Sequence, residues 1–182
     1  YHLSYSKAIT AIAAAASGGD IGVNPGISVK LSALHPRYEV AQEDRVMAEL
    51  VPVLTKLARA AADADMPLTI DAEESYRLTL SLKVIEAVLS DPKLAGWDGF
   101  GVVVQAYGRR AGATLNWLYA LAERLDRRIM VRLVKGAYWD SEIKRAQVEG
   151  LPDFTLFTSK VETDVSYIAN AQKLIGYSDR IY

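Results

Sequence analysis

The chain has 182 residues, 51% hydrophobic and 24% charged, with 21 basic against 22 acidic side chains and a net charge of −1. That balance belongs to a folded globular domain and excludes both intrinsic disorder and nucleic-acid binding through bulk positive charge. The sequence contains no cysteine, which rules out disulfides, thiolate metal sites and a cysteine nucleophile.

The first predicted element is an alanine-rich helix over residues 1–17. Its apolar run, Ala8–Ala16, is too short to span a membrane and lacks the basic flank of a signal peptide. Ile27–Ser32 (ISVKLS) then reads as a strand, being apolar, β-branched and bounded by turn residues. Arg45, Val46, Leu50, Val53, Leu54, Leu57 and Ala61 mark an amphipathic helix in which Pro52 predicts a kink or a displaced start. Leu68–Asp71 is the second strand, and Leu78, Leu82, Ile85, Val88 and Leu89 give the helix after it. Phe100–Gln105 is the third, followed by a helix with Leu115, Leu118, Tyr119, Ala122 and Leu125 on its apolar face. Ile129–Val134 is the fourth. After it come helices over 140–149 and 161–175, the latter with Val165, Ile168, Ala169 and Leu174 as its apolar face, and a further strand is expected to start near 181.

Alternating strands and helices predict βα units on a parallel sheet. A doubly wound nucleotide-binding fold would carry a glycine-rich phosphate turn after its first strand, and Ala33-Leu34-His35-Pro36-Arg37-Tyr38 is not one. A (βα)8 barrel places polar functional side chains at the C-terminal ends of several strands, which this pattern matches. Eight such units take roughly 300 residues, so residues 1–182 are expected to be about the first half of a barrel and a piece of a longer protein.

The polar residues at the strand ends are Lys30, Ser32 and His35 on the first, and Asp71, Glu73 and Glu74 on the second. The third ends in Gln105 and Tyr107, and the fourth in Arg132, Lys135, Gly136, Tyr138, Trp139 and Asp140. Strand alternation puts Ser28, Lys30 and Ser32 on one face, and Val103 with Gln105 on one face. It puts Arg132 with Met130 and Val134, and Lys135 on the opposite side. Lys135 is therefore expected past the strand end, where Gly136 lets the backbone approach a ligand closely. Lys30 in an apolar run is costly to bury unless it meets an anion. Three chemistries fit these residue types. A lysine could form a Schiff base, as in barrel aldolases. Asp71, Glu73, Glu74 and His35 could ligate magnesium or manganese. Lys30 and Arg132 could instead clamp an anionic substrate against a cofactor, with no metal involved, and an Arg132–Asp71 ion pair could also be purely structural.

Residues 26–38 (GISVKLSALHPRY), 70–75 (IDAEES), 102–107 (VVVQAY), 131–147 (VRLVKGAYWDSEIKRAQ) and 163–175 (TDVSYIANAQKLI) closely resemble the proline dehydrogenase domain of the bacterial bifunctional proline utilization A flavoenzymes. The resemblance runs over almost the whole chain. It implies a (βα)8 barrel that binds FAD and oxidises L-proline to Δ1-pyrroline-5-carboxylate, the first step of proline catabolism to glutamate. By that resemblance Lys30 meets the proline carboxylate, Asp71 and Arg132 are catalytic, and Arg132 lies near flavin N5. Gln105 contacts the isoalloxazine edge, Ile70 makes a main-chain flavin contact, and Val134, Lys135, Gly136 and Ala137 form the flavin-contacting stretch. Tyr138 and Trp139 are aromatics beside substrate and cofactor, while Glu73 and Glu74 revert to structural partners. The resemblance further implies a quinone acceptor reached from a cytoplasmic, peripherally membrane-associated protein and an aldehyde dehydrogenase domain in the same chain. In some members it also implies a DNA-binding ribbon–helix–helix segment. The family's later strands, its last helix over the active site and an arginine pair completing the carboxylate clamp are not among these residues, so the stretch alone is expected neither to bind FAD nor to turn over proline.

Overall fold

The structure is a computed structural model that describes residues 2–15 and 21–182, apart from the His2 side chain. Helix α1 (His2–Ala13) is followed by β1 (Ile27–Val29), the short α2 (Leu31–Leu34), α3 (Glu43–Asp63), β2 (Leu68–Ile70), α4 (Leu78–Leu89), β3 (Phe100–Gln105), α5 (Ala111–Arg124), β4 (Met130–Val134), α6 (Trp139–Val148) and α7 (Lys160–Gly176). The four strands are parallel in the order β1-β2-β3-β4, and Ile129 forms a further parallel bridge with Ile181. This is the partial α/β barrel the pattern predicts, with each helix returning the chain to start the next parallel strand.

Strand β3 is central, and Phe100 to Val104 are all buried, so its nearly unbroken apolar run is covered on both faces. Helix α3 opens with Glu43 and Asp44, whose charges suit a helix N-terminus, and buries Val46, Leu50, Leu54, Leu57, Ala58 and Ala61 against the sheet and α4. Pro52 falls on its exposed face and neither breaks the helix nor displaces its start. Helices α3 and α5 end alike. Asp65 and Asp126 take left-handed backbone (φ 49° and 46°), and the next amide bonds back five residues, Met66 N to Ala61 O and Arg127 N to Ala122 O, each at 3.0 Å.

Three expectations need correction. The first strand stops at Val29 and not at Ser32, because Lys30 begins the turn of α2. Ser32 therefore does not share a strand face with Ser28, and Leu31 is buried in its place. In α4 the deepest residues include Leu80 and Val84, whereas Leu78 and Leu82 are only half-buried. In α7, Val165 and Ile168 are exposed, and the residues buried are Thr163 and Asn170. The polar side of α7 is the docked one: Ser166 Oγ donates to the Ala106 carbonyl at 2.7 Å, and Asn170 Nδ2 donates to Ser166 O at 2.8 Å.

Candidate active site

Parallel strands end together, so the side chains at their C-terminal ends share one edge of the sheet. The register pairs Val103 with Arg132 and Gln105 with Val134, which puts these four on a common face, as alternation predicts. Lys30, Asp71, Ala72, Val103, Gln105, Arg132, Val134 and residues 135–138 line a solvent-open cleft of about 320 Å³.

Arg132 stands in this cleft with its side chain half-exposed. Nη2 donates to Asp71 Oδ1 at 2.6 Å and Nη1 to Ser28 Oγ at 3.2 Å. Only two of its five N–H donors are thereby used, and an ion pair this exposed contributes at most about 1 kcal/mol to stability. The pairing orients the guanidinium without spending it. Lys30 is exposed to the cleft and not buried in an apolar strand, since the strand ends one residue earlier. Its Nζ donates to Tyr138 Oη at 3.3 Å and lies 5.9 Å from that ring's centroid, and Tyr5 Oη accepts from its main-chain amide. The hydrogen bond to Tyr138, with added attraction from Asp71 and Glu73, holds the Lys30 ammonium above the ordinary lysine value.

Lys135 points the other way. Its ammonium donates to Asp164 Oδ1 of α7 at 2.5 Å, and that contact raises its pKa. A Schiff-base lysine needs the reverse, a pKa lowered by burial or a neighbouring cation, so neither Lys30 nor Lys135 is prepared for it. The acidic set does not converge either. Glu73 and Glu74 meet Arg77 at 3.4 and 3.2 Å, and Asp71 meets Arg132. His35 is a loop residue after α2, and buried: Nε2 contacts Glu49 at 2.9 Å and Nδ1 accepts from the Arg37 amide.

Gln105 is a strut between two loops. Its Nε2 donates to Glu73 O at 2.9 Å, and its Oε1 accepts from the Ala137 amide at 3.1 Å. Gly136 has φ +144°, and a Cβ there would lie 2.4 Å from the Tyr107 ring. Its required smallness makes room for Tyr107, and its backbone lines the cleft. Tyr107 is buried, and its hydroxyl accepts from the Tyr138 amide at 3.3 Å. Trp139, 40% exposed, opens α6 and donates its indole N–H to Phe157 O at 3.0 Å, while the Ile70 side chain is in the core; neither lines the cleft. Tyr107, named from the sequence only as a strand-end residue, also serves the site, as do Ser28 and Asp164, which were not proposed as candidates. Of these two only Ser28 carried a signal, its shared strand face with Lys30.

A parallel α/β sheet with cations and a carboxylate along its C-terminal edge defines the class: a barrel-type enzyme domain. The proline dehydrogenase family model matches residues 1–182. The chain belongs to that family. It is 54% identical over all 182 residues to the bifunctional protein PutA of Salmonella typhimurium and, equally, to that of Escherichia coli, spanning 14% of each. Among solved structures, it superposes on a mutant of Bradyrhizobium japonicum proline utilization A with a TM-score of 0.99 at 54% identity, covering 100% of this chain and 19% of that one. The Bdellovibrio bacteriovorus proline utilization A inactivated by N-propargylglycine gives a TM-score of 0.91 at 28% identity, with 100% and 20% covered.

Proposed function

We propose that this chain forms part of the active site of an FAD-dependent proline dehydrogenase, converting L-proline to Δ1-pyrroline-5-carboxylate. The observation that carries the reading is that Lys30 and Arg132 face one cleft, each with N–H donors left unused among the described residues. These residues fit a flavin and a carboxylate substrate. Arg132, Gln105 and the 134–137 stretch would hold the cofactor, Ile70 would contribute through its main chain, and Trp139 would lie at the margin. When bound, the flavin supplies two-electron oxidation, accepting a hydride at N5 from the carbon next to the proline nitrogen.

The chain's own residues then have distinct tasks. Lys30 meets the substrate carboxylate with a charge-assisted hydrogen bond, which fixes the ring's orientation. Tyr138 accepts from Lys30 and limits where that ammonium can stand. Arg132, oriented by Asp71 and Ser28, presents positive charge where negative charge builds during the oxidation. The proton released from the substrate nitrogen leaves to solvent through the open cleft. A quinone acceptor, an aldehyde dehydrogenase domain consuming the product, and in some members a DNA-binding segment complete the reading. Among the described residues no helix is long and apolar enough to cross a membrane.

The test is steady-state proline oxidation with an artificial acceptor. Lys30→Met should raise KM for proline about 10- to 100-fold, the loss of one charged hydrogen bond, with a smaller effect on kcat. Because the Lys30 pKa is raised, its contribution to KM should persist to pH 10.5 and fade only above it. An unchanged KM in Lys30→Met, or covalent trapping of substrate on Lys30 by borohydride, would overturn the assignment.

A further inference from the structure

Glu142, in the second half of the first turn of α6, is a buried carboxylate that forms no ion pair among the described residues. Its partners are neutral donors. Oε1 accepts from the Ser75 main-chain amide. Oε2 accepts from Ser75 Oγ at 2.6 Å and from Thr155 Oγ1 at 3.3 Å, and the two hydroxyls are themselves 2.9 Å apart. A carboxylate withdrawn from water is tolerated when its lone pairs are filled in this way.

Those bonds join three segments around the cleft. Ser75 belongs to the loop that begins at Asp71. Glu142 is one helical turn beyond Tyr138, and its amide bonds to the Tyr138 carbonyl at 2.9 Å. Thr155 belongs to the connection whose Phe157 carbonyl receives the Trp139 indole and whose Phe157 amide bonds to Tyr107 O at 2.8 Å. Gln105, bridging Glu73 O and the Ala137 amide, closes the same loop on the other side. The separation between the Asp71 loop and Tyr138 is therefore spanned twice, by Glu142 on one side and by Gln105 on the other.

We propose that Glu142 is a positioning residue that fixes where Tyr138, and through it Lys30, stands relative to the Asp71–Arg132 pair. The proposal rests on the proline-oxidation reading above. It depends on the reach of the side chain, not on its charge.

The test measures proline oxidation per bound flavin in the protein that carries this chain, for Glu142→Gln, Glu142→Asp and Ser75→Ala. Glu142→Asp keeps the charge but is one methylene short. It should raise KM for proline about 10- to 100-fold, as small misplacements of a reacting geometry do, with amide exchange accelerated in peptides covering both 71–77 and 136–142. Glu142→Gln keeps the reach, with a carbonyl for the Ser75 amide and hydroxyls free to rotate, and should remain within about threefold of wild type. If Glu142→Asp does not accumulate as folded protein, Ser75→Ala decides, with an expected rise in KM of about fivefold for one lost hydrogen bond. An active wild type in which Glu142→Asp or, failing that, Ser75→Ala leaves KM unchanged overturns the positioning role, even if thermal stability falls. Equal impairment by Gln and Asp overturns it too, because the effect would then trace to charge. A wild type that does not oxidise proline overturns the activity reading, and the positioning proposal falls with it.

Discussion

Strands β3 and β4 are alike in composition and opposite in burial. FGVVVQ in β3 has five of its six residues buried, whereas none of the five in MVRLV of β4 is. The difference lies in their neighbours. β3 pairs with β2 on one side and β4 on the other, and α5 packs against it with Leu115, Leu118, Leu121 and Ala122. Among the described residues β4 has β3 on one side and only the start of a pairing with residues 180–182 on the other, and α7 turns Val165, Ile168 and Ile175 outward. Arg132 thus stands on the less covered of these two strands among the described residues.

The contrast can be broken most directly in the core. Phe100→Ala on β3 should cost about 3–5 kcal/mol, while Leu133→Ala on β4, half-exposed, should cost clearly less than the about 2–5 kcal/mol of a fully buried leucine; urea unfolding of the two variants checks the ranking. Arg132→Met should do the opposite. It should leave stability within about 1 kcal/mol, since its ion pair is half-exposed, and lower proline turnover about 10²- to 10³-fold. Gly136→Ala sharpens the boundary between the two regions. A Cβ at φ +144° must push the Tyr107 ring aside, so a loss of about 1–3 kcal/mol is expected, and combining it with Tyr107→Ala should be less than additive in a double-mutant cycle. Ile168→Ser on the exposed face of α7 should change the stability of these 182 residues by no more than about 0.5 kcal/mol in thermal melts.

How much of this was legible in the sequence follows from what each signal measures. β3 read correctly because a fully buried parallel strand has a continuous apolar run, and Val46, Leu50, Leu54, Leu57 and Ala61 of α3 were read correctly, whereas Arg45 is exposed and Val53 only half-buried. Periodicity located the apolar face of α7 but could not say whether anything covers it; the face that docks does so through Ser166 and Asn170, which look solvent-facing in a hydropathy pattern. The aspartates ending α3 and α5 were missed because glycine is the usual left-handed residue there. At the site, alternation separated Arg132 from Lys135 correctly, since strand parity is geometric. It could not foresee that Gly136 yields to Tyr107, or that Asp164 and Glu142 reach the site from helices later in the chain. Those contacts are tertiary, and no spacing in the sequence encodes them.

The central claim is that the cleft at the end of β1–β4 holds a flavin that proline reduces, with Arg132 beside it. The most direct measurement is the visible absorption of the purified protein that carries this chain, anaerobically, before and after L-proline, for wild type and Arg132→Met. The account predicts a yellow wild type that bleaches with proline, and a variant that still binds flavin but bleaches at least about 10²-fold more slowly. A protein that stays colourless after FAD is supplied, or a variant that bleaches as fast as wild type, would contradict it.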